Sequence, residues 1–220
     1  MKRHPIPERN WSGRVAIVSD VDEADLETQL TEHERSMMAT LRLARRRNEW
    51  AAARIALKQL AIASGVAERA VDCEIERIEG RPALLVCGSP APLFVSLSHS
   101  RGVSAGMVGA QPVGIDLQEV RSISERATRF FLSDEEAAML ASLAIADRMM
   151  HLWAAKEAAW KASAIPLSTL RSVAFTLESE GADALRLRYV SAGRSGSIDT
   201  LRLDDDFVLA VAEEGSPASQ

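Results

Sequence analysis

Aromatic rings, cysteine and excess basic charge are what this 220-residue chain has least of. Aromatics are 5% of the residues, and 31 acidic against 26 basic side chains give a formal charge of −5. A dedicated nucleic-acid binder usually shows a basic footprint and rings on which bases stack, so that class is set aside. The two cysteines, Cys73 and Cys87, make neither a metal-ligand spacing nor a disulfide framework and read as reduced thiols. No apolar run approaches the ~20 residues of a membrane span. The opening segment, Met1 to Asn10, is basic but has no apolar core after it, unlike a secretory signal. These absences lead to the expectation of a cytoplasmic monomer that binds neither nucleic acid nor membrane. What remains, 47% hydrophobic and 26% charged, is ordinary for a globular protein, and the length fits one large core or two small ones.

An internal repeat organises the chain. Leu30-Thr31-Glu32-His33-Glu34 and Leu132-Ser133-Asp134-Glu135-Glu136 lie 102 residues apart, and each reads as a capping box. In such a box a hydroxyl accepts from a free helix N–H, and the Glu three residues on reaches back. Glu49 to Lys58 then lines up with Leu152 to Lys161 at an offset of 103, sharing a tryptophan, three alanines and the final lysine. Val71–Glu76 and Val173–Glu178 follow as candidate strands. Each half closes on a candidate hairpin, Phe94–His99 with Val103–Gly109 and Thr200–Leu203 with Phe207–Ala212. The expected fold class is α+β, with two similar halves, 1–112 and 113–220, related by a pseudo-twofold axis and an active site at their interface. Where the halves differ they are expected to carry chemistry. Arg54 stands opposite Glu157, so one half offers a cation where the other offers a carboxylate.

Along Val113-Gly114-Ile115-Asp116-Leu117-Gln118, strand alternation puts Asp116 and Gln118 on one face and Ile115 and Leu117 on the other. Gly114 permits close backbone approach beside the carboxylate. On the helix around Glu157, Trp153, Glu157 and Trp160 share a face flanked by Lys156 and Lys161. Ala154, Ala155, Ala158, Ala159 and Ala162 make an opposite face suited to close packing. The bland reading of Glu157 and Lys161 is a surface ion pair worth ~0.3–0.5 kcal/mol. The basic run Arg42–Arg47 reads first as a solvated helix face, although Arg47 lies seven residues before Arg54 and hence on its side.

Val113-Gly114-Ile115-Asp116, followed by Trp153-Ala154-Ala155-Lys156-Glu157-Ala158-Ala159-Trp160-Lys161, resembles the two-part signature of the 4′-phosphopantetheinyl transferase superfamily. Gly80-Arg81-Pro82, Ser96-Leu97-Ser98-His99-Ser100 and Arg129-Phe130-Phe131-Leu132-Ser133 resemble further elements of its pseudo-dimeric, surfactin-activating class. The resemblance implies transfer of phosphopantetheine from coenzyme A to a serine of an acyl, peptidyl or related carrier protein, releasing adenosine 3′,5′-bisphosphate. It implies Mg²⁺ on Asp116 and Glu157, with Mn²⁺ as a substitute ion and Gln118 as a third ligand. Many relatives carry a carboxylate where Gln118 stands. Arg47, Arg54, Arg81, Ser98 and His99 would contact coenzyme A. Lys161 and Lys156 would face the pyrophosphate, and Glu157 and Lys161 would be catalytic. The alternative is a coenzyme A-binding module without turnover.

Overall fold

The structure is a computed structural model that describes residues 1–4, 11, 13–163, 169–191 and 193–215. Most of the basic opening segment therefore lies outside the described residues. The chain divides into two compact units, Met1–Ala110 and Gln111–Gln220.

Unit 1 runs β1 (Lys2–Arg3), β2 (Val15–Ser19), α1 (Glu23–Gln29), α2 (Glu32–Ala39), α3 (Ala44–Ala63), β3 (Cys73–Ile78), β4 (Arg81–Val86), β5 (Ser89–Pro90), β6 (Phe94–Ser100) and β7 (Val103–Gly109). Its strands form a sheet ordered β1-β2-β7-β6 and a smaller one ordered β3-β4-β5. All pairings are antiparallel. α3 packs on β7 and β2 through alanines and aliphatics, among them Ala52, Ala53, Ala56 and Leu57, all buried. Short side chains let the helix lie close, and a Cβ on Gly106 of β7 would come 3.1 Å from Leu57.

Unit 2 runs β8 (Val113–Glu119), α4 (Glu125–Thr128), α5 (Asp134–Ser142), α6 (Arg148–Ala162), β9 (Ala174–Glu180), β10 (Ala184–Ser191), β11 (Arg194–Arg202) and β12 (Phe207–Glu214). One antiparallel sheet, ordered β8-β12-β11-β10-β9, carries α6 on its face. The α+β class is as expected. In unit 1 the strands β2-β7-β6 and β4-β3 follow the same order as β8-β12-β11 and β10-β9, with the sheet interrupted between β6 and β4.

Both expected capping boxes form: Thr31 with Glu34 at the start of α2, and Ser133 with Glu136 at the start of α5. Each box glutamate does more than cap. Glu34 is buried, pairs with the buried Lys58 and accepts the Ile75 N–H of β3. Glu136 is buried, pairs with the buried Lys156 at 2.7 Å and accepts the Phe175 N–H of β9 at 3.0 Å. One carboxylate thus ties a helix start, the next helix and the following strand together in each unit. The strands expected from Val71 and Val173 begin at Cys73 and Ala174, because 3₁₀ turns at Ala70–Asp72 and Leu170–Ser172 take the preceding residues. Among the described residues no helix is long and apolar enough to cross a membrane.

Candidate active site

Unit 2 holds the acidic cluster. β8 pairs with β12 along its whole length, so the backbone of Asp116 is fixed opposite Ala210. Ile115 and Leu117 are wholly buried on one face of β8. On the other, Gln118 Nε2 donates to Asp116 Oδ2 at 2.7 Å, the shared face that strand alternation requires.

α6 lies against β8 with almost nothing between the backbones. A Cβ on Gly114 would sit 1.9 Å from the Ala158 carbonyl oxygen and 2.6 Å from the Ala162 nitrogen, so only glycine fits. Ala154, Ala155, Ala158, Ala159 and Ala162 are all at most 1% exposed, the close-packing face expected of them. This contact brings the last turn of α6 onto Asp116. Lys161 Nζ donates to Asp116 Oδ1 at 2.7 Å and to the Ile115 carbonyl at 2.9 Å. Lys161 therefore pairs with Asp116 across elements, in addition to sitting one helical turn from Glu157.

Glu157 stands half-buried between these groups. Burial pushes its carboxyl above the usual carboxylate range, the Asp116 charge adds to that, and Lys161 opposes it. Two carboxylates set this near one another make a place that attracts a cation. Trp153 packs edge-on to Phe131 with ring centroids 4.8 Å apart. Trp160 is 40% exposed.

Lys156 departs from the expected place beside the pyrophosphate. It is wholly buried, its ammonium bonded to Glu136 Oε1 at 2.7 Å and to the Val173 carbonyl, 4.4 Å over the Phe175 ring. α6 is enclosed on more than one side, and the buried Glu136 on α5 draws the lysine inward. Lys156 is a core residue, not part of the Glu157 face.

The cationic residues named for coenzyme A lie in unit 1. His99 and the buried Ser98 are on β6, and Arg81 opens β4 after the turn of Glu79 and Gly80, both at positive φ. Arg54 lies flat on Trp50, its guanidinium carbon 3.3 Å from the ring centroid. Burial pulls its pKa down to about 10, Glu34 opposes and Arg77 adds to the fall. Its Nε is buried without a hydrogen-bond partner among the described residues. Arg47 does not join it, for Nη1 turns back to the carbonyls of Leu41 and Arg42 at 2.8 and 3.2 Å, closing the α2–α3 connection.

One organising residue went unread. Glu49, in α3, has a side chain 3% exposed, with Arg45, Arg46 and His99 all within 3.7 Å. Its signal in the sequence was the i−4 and i−3 spacing to two arginines, a pattern too common to single out.

No group of three His, Cys, Asp or Glu side chains able to hold a metal occurs among the described residues. The two carboxylates and the Gln118 amide nonetheless fit a hard cation that takes oxygen ligands and keeps several waters. The amide now offers its N–H to Asp116, and the same side chain presents oxygen when the amide turns over.

Residues 112–212 match the family model of the 4′-phosphopantetheinyl transferase superfamily. A stretch of 129 residues is 33% identical to 4′-phosphopantetheinyl transferase psf-1 of Bacillus pumilus, covering 57% of this chain and 54% of that protein. The match thus spans about half the length of the curated relative. The matched family span contains β8, α6 and the whole Asp116–Gln118–Glu157–Lys161 cluster. Both comparisons return the superfamily that the sequence motifs resemble.

Proposed function

We propose that this protein transfers the 4′-phosphopantetheine arm of coenzyme A to a serine of an apo-carrier protein. The observation that carries the reading is the meeting of Asp116, Glu157 and Lys161 at the Gly114 contact, inside the span that matches the transferase family. In this reaction the serine oxygen bonds to the phosphorus on the pantetheine side of the pyrophosphate. The bond to the bridging oxygen breaks, and adenosine 3′,5′-bisphosphate leaves with the electron pair. Transfer of this kind needs positioning and charge neutralisation, with little covalent chemistry from the protein.

Asp116, Glu157 and the Gln118 amide oxygen are the residues that would hold Mg²⁺, or Mn²⁺ in its place. The ion, when bound, neutralises charge on the pyrophosphate oxygens. Lys161, beside Asp116, would supply a donor to the same oxygens. Glu157 takes the serine proton, directly or through a bound water. Arg54, Arg81, Ser98 and His99 supply contacts to the nucleotide phosphates. Arg47 is engaged in closing a turn, and Lys156 has no part in the site.

The test is incubation with coenzyme A, Mg²⁺ and an apo-carrier protein, followed by mass spectrometry of the carrier. A gain of one phosphopantetheine is expected. Coenzyme A binding without any gain would overturn the transferase reading.

A further inference from the structure

We infer that Glu49 is a positioning residue for ligand binding: its buried carboxylate holds His99, Arg45 and Arg46 together as one cationic patch for a phosphate group of coenzyme A. This rests on the coenzyme A reading above.

The side chains divide by depth. Glu49 is 3% exposed, while Arg45, Arg46 and His99 are 64%, 53% and 36% exposed. Glu49 Oε1 accepts the Gly102 N–H at 2.9 Å and lies 3.7 Å from Arg45 Nε. Glu49 Oε2 lies 3.4 Å from Arg46 Nη1 and 3.5 Å from His99 Nδ1, which are themselves 3.4 Å apart. The Glu49 carbonyl takes the Ser104 hydroxyl at 2.9 Å. One residue of α3 thus grips both sides of the β6–β7 turn, where Arg101 and Gly102 both have positive φ.

The placement has a cost that an anion would relieve. Arg45 and Arg46 sit in the first turn of α3, which contains no acidic residue, and Leu43 gives it no side-chain cap. Basic side chains at a helix N-terminus oppose the dipole, whereas a phosphate there is favoured by it. A buried carboxylate beneath exposed cations fixes their positions without itself facing the ligand.

Two roles predict opposite signs. If Glu49 merely added negative charge near the phosphate, Glu49→Gln would tighten binding. If it positions the cations, the amide would still accept from Gly102 but turn an N–H toward Arg46 and His99, and binding would weaken. We expect Glu49→Gln to raise the calorimetric Kd for coenzyme A, and its KM, about tenfold with kcat within twofold, the size of one charge-assisted contact. Glu49→Asp should recover part of the loss. In a His99→Ala background the effect of Glu49→Gln should shrink, because the two act through one contact. Repeating the titration with 3′-dephospho-coenzyme A tells which phosphate is held: an effect that persists assigns the pyrophosphate, and one that vanishes assigns the 3′-phosphate. An unchanged or lowered Kd in a folded Glu49→Gln protein overturns the inference while leaving transfer by the wild type standing. Wild-type protein that binds no coenzyme A overturns both.

Discussion

Lys156 and Lys161 share helix α6, five residues apart, and meet opposite surroundings. Lys161 reaches Asp116 at the edge of the core, and Lys156 is locked against Glu136 inside it. Removing one partner of a buried pair leaves the other charge uncompensated, a loss of about 3–5 kcal/mol. Lys156→Met should therefore lower the melting temperature sharply, and Lys156→Met with Glu136→Gln, which removes the stranded charge but keeps an acceptor for the Phe175 N–H, should recover part of it. KM for coenzyme A in the protein that remains folded should stay near wild type. A raised KM at unchanged stability would return Lys156 to the site.

Glu157 carries a prediction with a sign. Its proton affinity is raised in the folded state, so the protonated form favours folding. That contribution is complete below the ordinary glutamate pKa of 4.5 and is lost as pH rises through the higher folded value. Glu157→Gln should accordingly melt higher than wild type at neutral pH without metal, with the gain vanishing below about pH 4.5. The same variant should lose roughly 10²–10³-fold in kcat, as expected for one preorganised group in the transition state. Melting curves across pH and steady-state rates check the two halves of the statement. A variant less stable than wild type at pH 7 would contradict the first.

At the scale of elements, β8 and α6 meet where a side chain cannot fit. Gly114→Ala must push Ala158 and Ala162 away from β8, and overpacking of this kind costs about 1–3 kcal/mol. Because Asp116 follows on that strand and Glu157 and Lys161 ride on that helix, the shift should also separate the cluster. We expect lower thermal stability together with a loss of transfer larger than the unfolded fraction explains, measured by melting and by rate on one sample.

The same contact shows what the sequence could disclose. The glycine, the alanine face and the strand alternation of Asp116 and Gln118 all follow from local geometry and were legible. So were the two capping boxes, whose chemistry is complete within four residues. Lys156 was not legible. Helical period places it beside Glu157, but its position depends on Glu136 and Val173, brought in by tertiary packing from α5 and from the turn before β9. Glu49 escaped for the same reason, since its partners His99 and Gly102 lie on a hairpin about fifty residues away.

Across the whole molecule, metal and coenzyme A should act on stability as linked ligands. The cluster has two carboxylates and an amide, and Asp116 is already satisfied by Lys161 and Gln118. A cation alone must displace that ammonium and receives only two negative charges in return. With the pyrophosphate present, phosphate oxygens complete its ligands and Lys161 gains a new partner. Mg²⁺ alone should therefore move the melting temperature little. Mg²⁺ with coenzyme A at a hundredfold excess over Kd should add about 2.7 kcal/mol. For a chain of this size that is a rise of about 5–10 °C. Gln118→Glu shifts the balance between these states. A third carboxylate beside Asp116 and Glu157 should lower the metal-free melting temperature and enlarge the response to Mg²⁺ alone. Gln118→Ala should be far milder than Asp116→Ala in both respects. Melting with Mg²⁺, with coenzyme A and with both, on wild type and these three variants, separates the cases. A full shift with Mg²⁺ alone in the wild type would show a preformed metal site that does not need the pyrophosphate. An unchanged metal response in Gln118→Glu would place residue 118 outside the ion's reach.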